Sequence, residues 1–264
     1  MSNALNVRTM AECLASGEVP EVLFWVGCSG SFDDRARKIT RALVKILNAA
    51  NVKFAVLGTE ETCTGDPAKR AGNEFLFQMQ AMQNIQVLNA YEVKKIVTAC
   101  PHCFNTIKNE YPELGGNYEV MHHTQFIQSL ISEGKLKLKE GGEFKGKRIT
   151  FHDPCYLGRA NDVYEAPREL IQKLDVELVE MKRCKQKGFC CGAGGAQMFK
   201  EAEPGNKEVN VERTEEALAL QPQVIATGCP FCNTMMTDGV KNFNKENDVK
   251  VLDVAELIAN AADL

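Results

Sequence analysis

The sequence predicts an α/β protein of two related lobes, each built on a parallel sheet. Three observations carry that expectation. Short β-rich runs alternate with amphipathic helical patterns, the signature of βαβ units. The segment Thr98-Ala99-Cys100-Pro101-His102-Cys103-Phe104-Asn105-Thr106 returns as Thr227-Gly228-Cys229-Pro230-Phe231-Cys232-Asn233-Thr234. Upstream the match continues. Cys28 and Cys63 are 35 positions apart, as are Cys155 and Cys190, and Cys63-Thr64-Gly65 aligns with Cys190-Cys191-Gly192. The repeated unit is roughly 120–130 residues, and a chain of 264 residues holds two of them.

The elements follow in order. VLFWV (22–26) reads as the first strand. A helix over 33–50 comes next, with Ile39, Leu43, Ile46, Leu47 and Ala50 on one face and Asp33 as its N-cap. KFAVL (53–57) is the second strand, and Asp66-Pro67, as N-cap and N1, opens a helix running to about Met82. Strands at 94–99 and 118–121 and a helix over 123–132 complete the first half. The second half repeats the order, with strands at 147–151, 176–180, 223–227 and 250–252 and helices at 166–174 and 205–219. The expected organisation is an N-terminal extension over 1–20, a first module over 21–135 and a second over 146–264. Phe144-Lys145-Gly146, after the charged and glycine-rich KLKLKEGGE, marks the join.

Composition excludes several classes of function. Apolar content of 44% and charged content of 25% describe a soluble globular chain. A net charge of −4 gives no basic footprint, which excludes a nucleic-acid partner. No apolar run reaches the ~18–20 residues needed for a transmembrane segment, and the N-terminus lacks the basic-then-apolar order of a secretory signal. The expectation is a cytoplasmic protein whose thiols stay reduced.

Eleven cysteines are then the anomaly. Cys28, Cys63, Cys100, Cys155 and Cys229 all fall just beyond expected strands, at the edge where open α/β sheets bind ligands. Each Cys-Pro-x-Cys places proline in the first turn of a helix, whose N-terminus favours thiolate. Cys190 and Cys191 are adjacent, a spacing that strains a disulfide between them. Gly192, Gly194 and Gly195 follow, where the backbone is expected to pass close to something bulky. These glycines do not complete a dinucleotide fingerprint. A thiolate metal centre explains the set, and thiolate-only sites favour zinc or iron–sulfur. Cys155, Cys190, Cys191, Cys229 and Cys232 are one ligand too many for structural zinc.

The order Cys, Cys-Cys-Gly, Cys-Pro-x-Cys resembles the CCG cysteine-rich domain. That domain occurs twice in the B-type subunit of heterodisulfide reductase. It also occurs in the iron–sulfur subunits of glycolate oxidase, anaerobic glycerol-3-phosphate dehydrogenase and lactate utilisation systems. FHDPCYLGR (151–159), FCCGAGG (189–195) and VERTEEALA (211–219) carry the resemblance, which spans about residues 20–260. It implies two pseudo-symmetric Rossmann-like lobes, each a CCG module. It also implies a non-cubane 4Fe–4S centre on Cys155, Cys190, Cys191, Cys229 and Cys232, with Cys191 favoured in the chemistry and Gly192, Gly194 and Gly195 beside the cofactor. The first module departs from the pattern, because Thr64 stands where the second cysteine of CCG should be. Its four remaining cysteines, Cys28, Cys63, Cys100 and Cys103, suit a cubane 4Fe–4S cluster or a tetrahedral zinc.

The expected function is an iron–sulfur electron-transfer subunit of a heterodisulfide reductase-like oxidoreductase. The alternatives are a non-redox zinc-binding scaffold and a thiol oxidoreductase using the Cys190-Cys191 pair. The chain carries no ferredoxin run and no flavin or nicotinamide fingerprint, so a ferredoxin-type or flavoprotein partner is expected, with a quinone-linked acceptor and membrane association through a partner as further expectations. His152 and Asp153 are candidates for tuning the second centre or for fixing a turn at a strand end. His102 is not expected to be a ligand, because Phe231 fills the equivalent place. His122 and His123 are expected to begin a helix at the surface. Cys13 and Cys184 have no counterpart in the repeat and read as bystanders, and KRCKQK (182–187) reads as a solvated loop that could help dock an acidic partner.

Overall fold

The structure, a computed structural model, describes residues 5–139, 141–201 and 204–264. Residues 1–4 of the expected extension and Glu140 of the expected join lie outside them, as do Ala202 and Glu203.

The chain begins with α1 (Met10–Ser16), β1 (Val22–Trp25), α2 (Gly27–Phe32), α3 (Ala36–Ala49) and β2 (Phe54–Ala55). Next come α4 (Asp66–Arg70), α5 (Glu74–Ala90), β3 (Lys95–Thr98), α6 (Pro101–Asn105), β4 (Glu119–His122) and α7 (His123–Ser132). The second lobe has β5 (Arg148–Phe151), α8 (Glu165–Gln172), β6 (Glu177–Leu178), α9 (Val209–Leu218), β7 (Val224–Thr227), α10 (Pro230–Asn242), β8 (Lys250–Asp253) and α11 (Val254–Ala261). The two sheets have the same order, β2-β1-β3-β4 and β6-β5-β7-β8, and every pairing in them is parallel. β1 and β7 are buried along their whole length, as strands covered on both faces must be.

Helices α3 and α11, with α7 and α8, fill the space between the sheets. One apolar cluster joins Phe24, Leu43, Leu47 and Val97 of the first lobe to Phe151, Leu170, Ala226 and Leu257 of the second. The lobes therefore share a core. At its rim Arg35 bonds both carboxylate oxygens of Glu256, at 2.9 and 2.7 Å. This shared core fixes the carboxyl ends of β1, β3, β5 and β7 relative to one another.

Several expectations need correction. The expected helix 66–82 is two helices, broken where Gly72 takes φ 85° and Asn73 caps Leu76 N at 3.1 Å. Gly65, not Asp66, is the cap of α4, and the Asp66 carboxylate is turned inward to His102. Helix α3 starts at Ala36, although Asp33 does cap it, its Oδ1 accepting from Ala36 N at 2.7 Å. The 205–219 helix starts at Val209. The segment before the first module packs on it: Met10 and Cys13 are buried against the first lobe, and Arg8 and Met10 bond Val56 on the edge of its sheet.

Candidate metal centre

The cysteines do converge at the carboxyl ends of the strands. Cys28 sits in α2 after β1, and Cys155 occupies the turn after β5. Cys100 and Cys229 are the N-cap residues of α6 and α10, with Pro101 and Pro230 in the first turns and Cys103 and Cys232 one turn on. Cys28, Cys63, Cys155 and Cys190 are half-buried, whereas Cys100, Cys103, Cys191, Cys229 and Cys232 are buried. The accessible side of both groups is thus the Cys28–Cys63 and Cys155–Cys190 side.

The thiols share protons in equivalent pairs. Cys28 hydrogen-bonds Cys63, which raises the first and lowers the second to about 7. Cys155 does the same to Cys190, which its bonds with Cys155 and Cys191 bring down to about 2. Cys191, bonded to Cys190, is raised to about 12, and its Sγ lies 3.3 Å from Cys232 Sγ. Full ionisation of so many close thiols needs a cation in place of the shared protons. Cys100 is lowered by hydrogen bonds from Cys103 and then from Cys229. That last contact crosses the lobe boundary, so the two ligand groups adjoin.

The lobes differ at one position. Thr64 Oγ1 lies 3.9 Å from Cys103 Sγ, the place taken in the second lobe by Cys191 beside Cys232. The turns are otherwise alike. Gly65 and Gly192 adopt φ 90° and 91°, and each directs its N–H at the preceding half-buried sulfur, Cys63 or Cys190. Of Gly192, Gly194 and Gly195, Gly192 is the one crowded by protein, a Cβ there meeting Val209 Cβ at 3.1 Å. A Cβ at Gly194 makes ordinary contact with His102, and one at Gly195 meets nothing within 4 Å. The close approach expected for all three thus holds, toward protein, for Gly192 alone.

The polar residues around the site are more tightly held than expected. His122 and His123 begin α7 but are completely buried, not at the surface. His122 Nε2 lies 3.1 Å from Gly228 O, His123 Nδ1 lies 3.1 Å from His122 Nε2, and His123 Nε2 lies 2.9 Å from Asp253 Oδ1. This chain ties the first lobe to the backbone just before Cys229. Asp153 holds Arg168 with both oxygens, at 2.8 and 2.9 Å, and accepts Lys185 N at 2.7 Å. It thereby fixes the loop leading into Cys190. In KRCKQK, Arg183 is not free in solvent but bonds Glu212 and Glu216. His102 bonds Asp66 Oδ2 at 2.9 Å and packs on Tyr156, their ring centres 4.4 Å apart. Cys13, on α1, is buried in the apolar cluster of the first lobe.

Glu61 and Arg213 were not singled out from the sequence. The Glu61 carboxylate accepts the N–H groups of Val26 and Gly27 beside Cys28, and burial raises it to about 7 despite those bonds. Arg213, fully buried, donates Nε–H to His152 Nδ1 at 3.0 Å. An imidazole nitrogen of His152 and the sulfurs of Cys191 and Cys232 lie within 4.8 Å of one another. Burial and Arg213 together lower His152 to about 3. The signal for Arg213 was the VERTEEALA segment itself, where an arginine interrupts the buried face of a helix.

Comparison with known proteins shows the family. The cysteine-rich domain (CCG) family matches residues 22–108 and again 149–237. The "Probable iron-sulfur-binding oxidoreductase FadF" of Bacillus subtilis is 48% identical over 97% of this chain and 36% of its own length. The "EtfAB:quinone oxidoreductase" of Syntrophomonas wolfei is 45% identical over 97% of this chain and 37% of its own. A dihydromethanophenazine:CoB--CoM heterodisulfide reductase subunit of Methanosarcina barkeri is 33% identical over 92% of this chain and 59% of its own. The chain thus spans between about a third and three fifths of the length of these relatives. Among the described residues no helix is long and apolar enough to cross a membrane.

Proposed function

The chain belongs to the CCG cysteine-rich domain family, and from that premise we propose that it is an electron-transfer unit of an iron–sulfur oxidoreductase with a thiolate-bound centre in each lobe. The observation that carries the reading is the convergence of nine cysteines at the carboxyl ends of the strands, with Cys100 beside Cys229 where the groups meet. The donors fit. They are all sulfur, and the five of the second lobe exceed what a structural zinc takes. Cys155, Cys190, Cys191, Cys229 and Cys232 would hold a non-cubane 4Fe–4S centre. Cys28, Cys63, Cys100 and Cys103 would hold a cubane cluster or zinc. Bound there, iron–sulfur centres supply one-electron storage at a potential set by their surroundings.

The chain's own residues do the rest. The N-terminus of α10 favours negative charge on the sulfurs of Cys229 and Cys232. The inter-lobe chain from His122 to Asp253 keeps the two groups in register. The buried thiols of Cys100 and Cys229 adjoin across the lobe boundary, which suits transfer between centres, and the half-buried cysteines lie on the accessible side, where a disulfide, a quinone-linked acceptor or a flavoprotein can approach. Relatives that are much longer than this chain support a partner, ferredoxin-type or flavoprotein, that supplies electrons from outside it.

The test is anaerobic reconstitution of the full chain with iron and sulfide. Brown protein with about eight iron atoms and eight sulfides is expected for two 4Fe–4S centres. About four irons plus one zinc would assign the zinc alternative to the first lobe. A colourless protein holding only zinc would sink the reading, as would a metal-free protein cycling two electrons through Cys190 and Cys191.

A further inference from the structure

Trp25 and His152 occupy the same place in the two lobes. They are 127 positions apart, the offset that relates Cys28 to Cys155 and Cys63 to Cys190. Trp25 ends β1 opposite Thr98, and His152 follows β5 with its N–H on Ala226 O at 2.9 Å. In each lobe the first cysteine of the motif comes three residues later. Their exposures are 0% and 1%. Unlike side chains at such a position would ordinarily share only bulk, yet both carry a ring N–H.

Neither N–H is used by the protein in the ordinary way. Trp25 Nε1 is buried and has no hydrogen-bond partner among the described residues, and its ring belongs to the apolar cluster that contains Cys100 and Cys103. An indole N–H left unpaired inside a protein is costly unless something accepts it. His152 approaches Cys191 and Cys232 so closely that it could be mistaken for a metal ligand. Arg213 decides otherwise. A guanidinium has donors only, so the 3.0 Å contact makes His152 Nδ1 the acceptor. A neutral imidazole with a bare Nδ1 carries its proton on Nε2. Neither nitrogen then has a lone pair free for a metal. Metal-bound histidines show the reverse arrangement, in which the second nitrogen donates to a carboxylate or carbonyl.

We propose that Trp25 and His152 each supply one neutral N–H to the sulfurs of the centre in their own lobe, and that Arg213 sets the His152 tautomer that does so. The inference rests on the iron–sulfur reading. An N–H directed at cluster sulfur stabilises the more negative, reduced form and raises the potential. Trp25 and His152 are thus positioned to hold the potentials of adjoining centres in step.

The test compares the reconstituted full chain with Trp25→Phe, His152→Phe and His152→Gln by redox titration followed by electron paramagnetic resonance, with iron counted throughout. Each Phe variant is expected to keep the parent's iron and to move the midpoint of its own lobe's centre to more negative potential, leaving the other nearly unchanged. His152→Gln, which retains an N–H, is expected to recover part of the shift. Loss of iron from the second centre in His152→Phe would make His152 a ligand and overturn the proposal. So would unchanged midpoints in Trp25→Phe. Should His152→Phe fail to fold, the unsubstituted chain labelled with 15N-histidine and purified without iron decides the second lobe. A bare Nδ1 and protonated Nε2 on His152 are expected, and a protonated Nδ1 refutes the tautomer. Should the parent take up no cluster at all, the iron–sulfur reading falls first, and a refuted tautomer would be a separate failure.

Discussion

Cys100 and Cys229, the N-cap residues of equivalent helices in the two lobes, are neighbours across the lobe boundary, each thiol shifting the other's proton affinity. Both are buried, at 3% and 0% exposure. Two ligand groups read from the sequence as separate centres therefore meet along their buried side. Charge placed on one is felt by the other with little solvent between them.

The first prediction follows from that contact. Cys229→Ser is expected to change the paramagnetic spectrum of the first centre as well as the second, and to shift the midpoint at which the first is reduced. Cys155→Ser, on the half-buried outer side, is expected to alter the second centre alone. Spectra of both variants at stepped potentials check this, and a first centre indifferent to Cys229→Ser would mean the centres act independently.

The second concerns Thr64. Its hydroxyl stands near Cys103 as Cys191 stands near Cys232, and it is buried at 2% exposure. Thr64→Cys adds no volume to the site, so the fold is expected to keep within about 1 kcal/mol of the parent. The first centre is expected to acquire the spectrum of the second. Cys191→Ser is expected to move the second toward the first and to lower turnover at least tenfold. Retained spectrum and turnover in Cys191→Ser would remove the case for a five-cysteine site.

The third is a pH dependence. Burial, first of all, holds both His122 and His152 well below the ordinary value of 6.5, His152 at about 3. Unfolded, each imidazole binds a proton below 6.5 that the folded protein refuses. Stability is therefore full above about pH 6.5 and is lost as pH falls from there toward the folded values, with a slope approaching about 2–3 kcal/mol per pH unit for the two together. Urea unfolding midpoints between pH 8 and 5 measure it. A flat profile across that range would mean the imidazoles are charged in the folded state.

The fourth concerns Asp153, which joins Arg168 to the backbone of Lys185 at 4% side-chain exposure. Asp153→Ala leaves Arg168 with Glu180 and the Tyr164 carbonyl and frees the loop before Cys190. A loss of about 3 kcal/mol is expected, in line with breaking a buried pair. Iron in the second centre is expected to fall while the first keeps its complement. Denaturation and iron analysis of the variant check both parts, and equal loss from both centres would show that Asp153 supports the fold in general.

The repeat made most of the fold legible. Paired apolar runs such as 94–99 and 223–227, each ending in Cys-Pro-x-Cys, place a strand and a helix start with little ambiguity. The strand at 53–57 shrank to Phe54–Ala55 because edge pairing reaches only Val22 and Leu23. The break at Gly72 was masked by the apolar run of α5, which has no clear polar face. His122 and His123 read as surface residues because their type is usually solvated, and only the docking of α7 against the second lobe buries them. The contact of Cys100 with Cys229 depends on that same docking and leaves no trace in local pattern. Thr64 was visible at once, because a repeat exposes any single departure from itself. Trp25 and His152 were equally aligned, but their different chemistry hid a shared N–H.

The central claim is that nine cysteines hold two adjoining and unlike iron–sulfur centres. Mössbauer spectra of the 57Fe-reconstituted full chain, oxidised and reduced, test it most directly. Two groups of iron in about equal amount are expected, one with a distinct iron site and one with four similar sites. A single group of similar sites accounting for all the iron, or iron bound without sulfide, would contradict it.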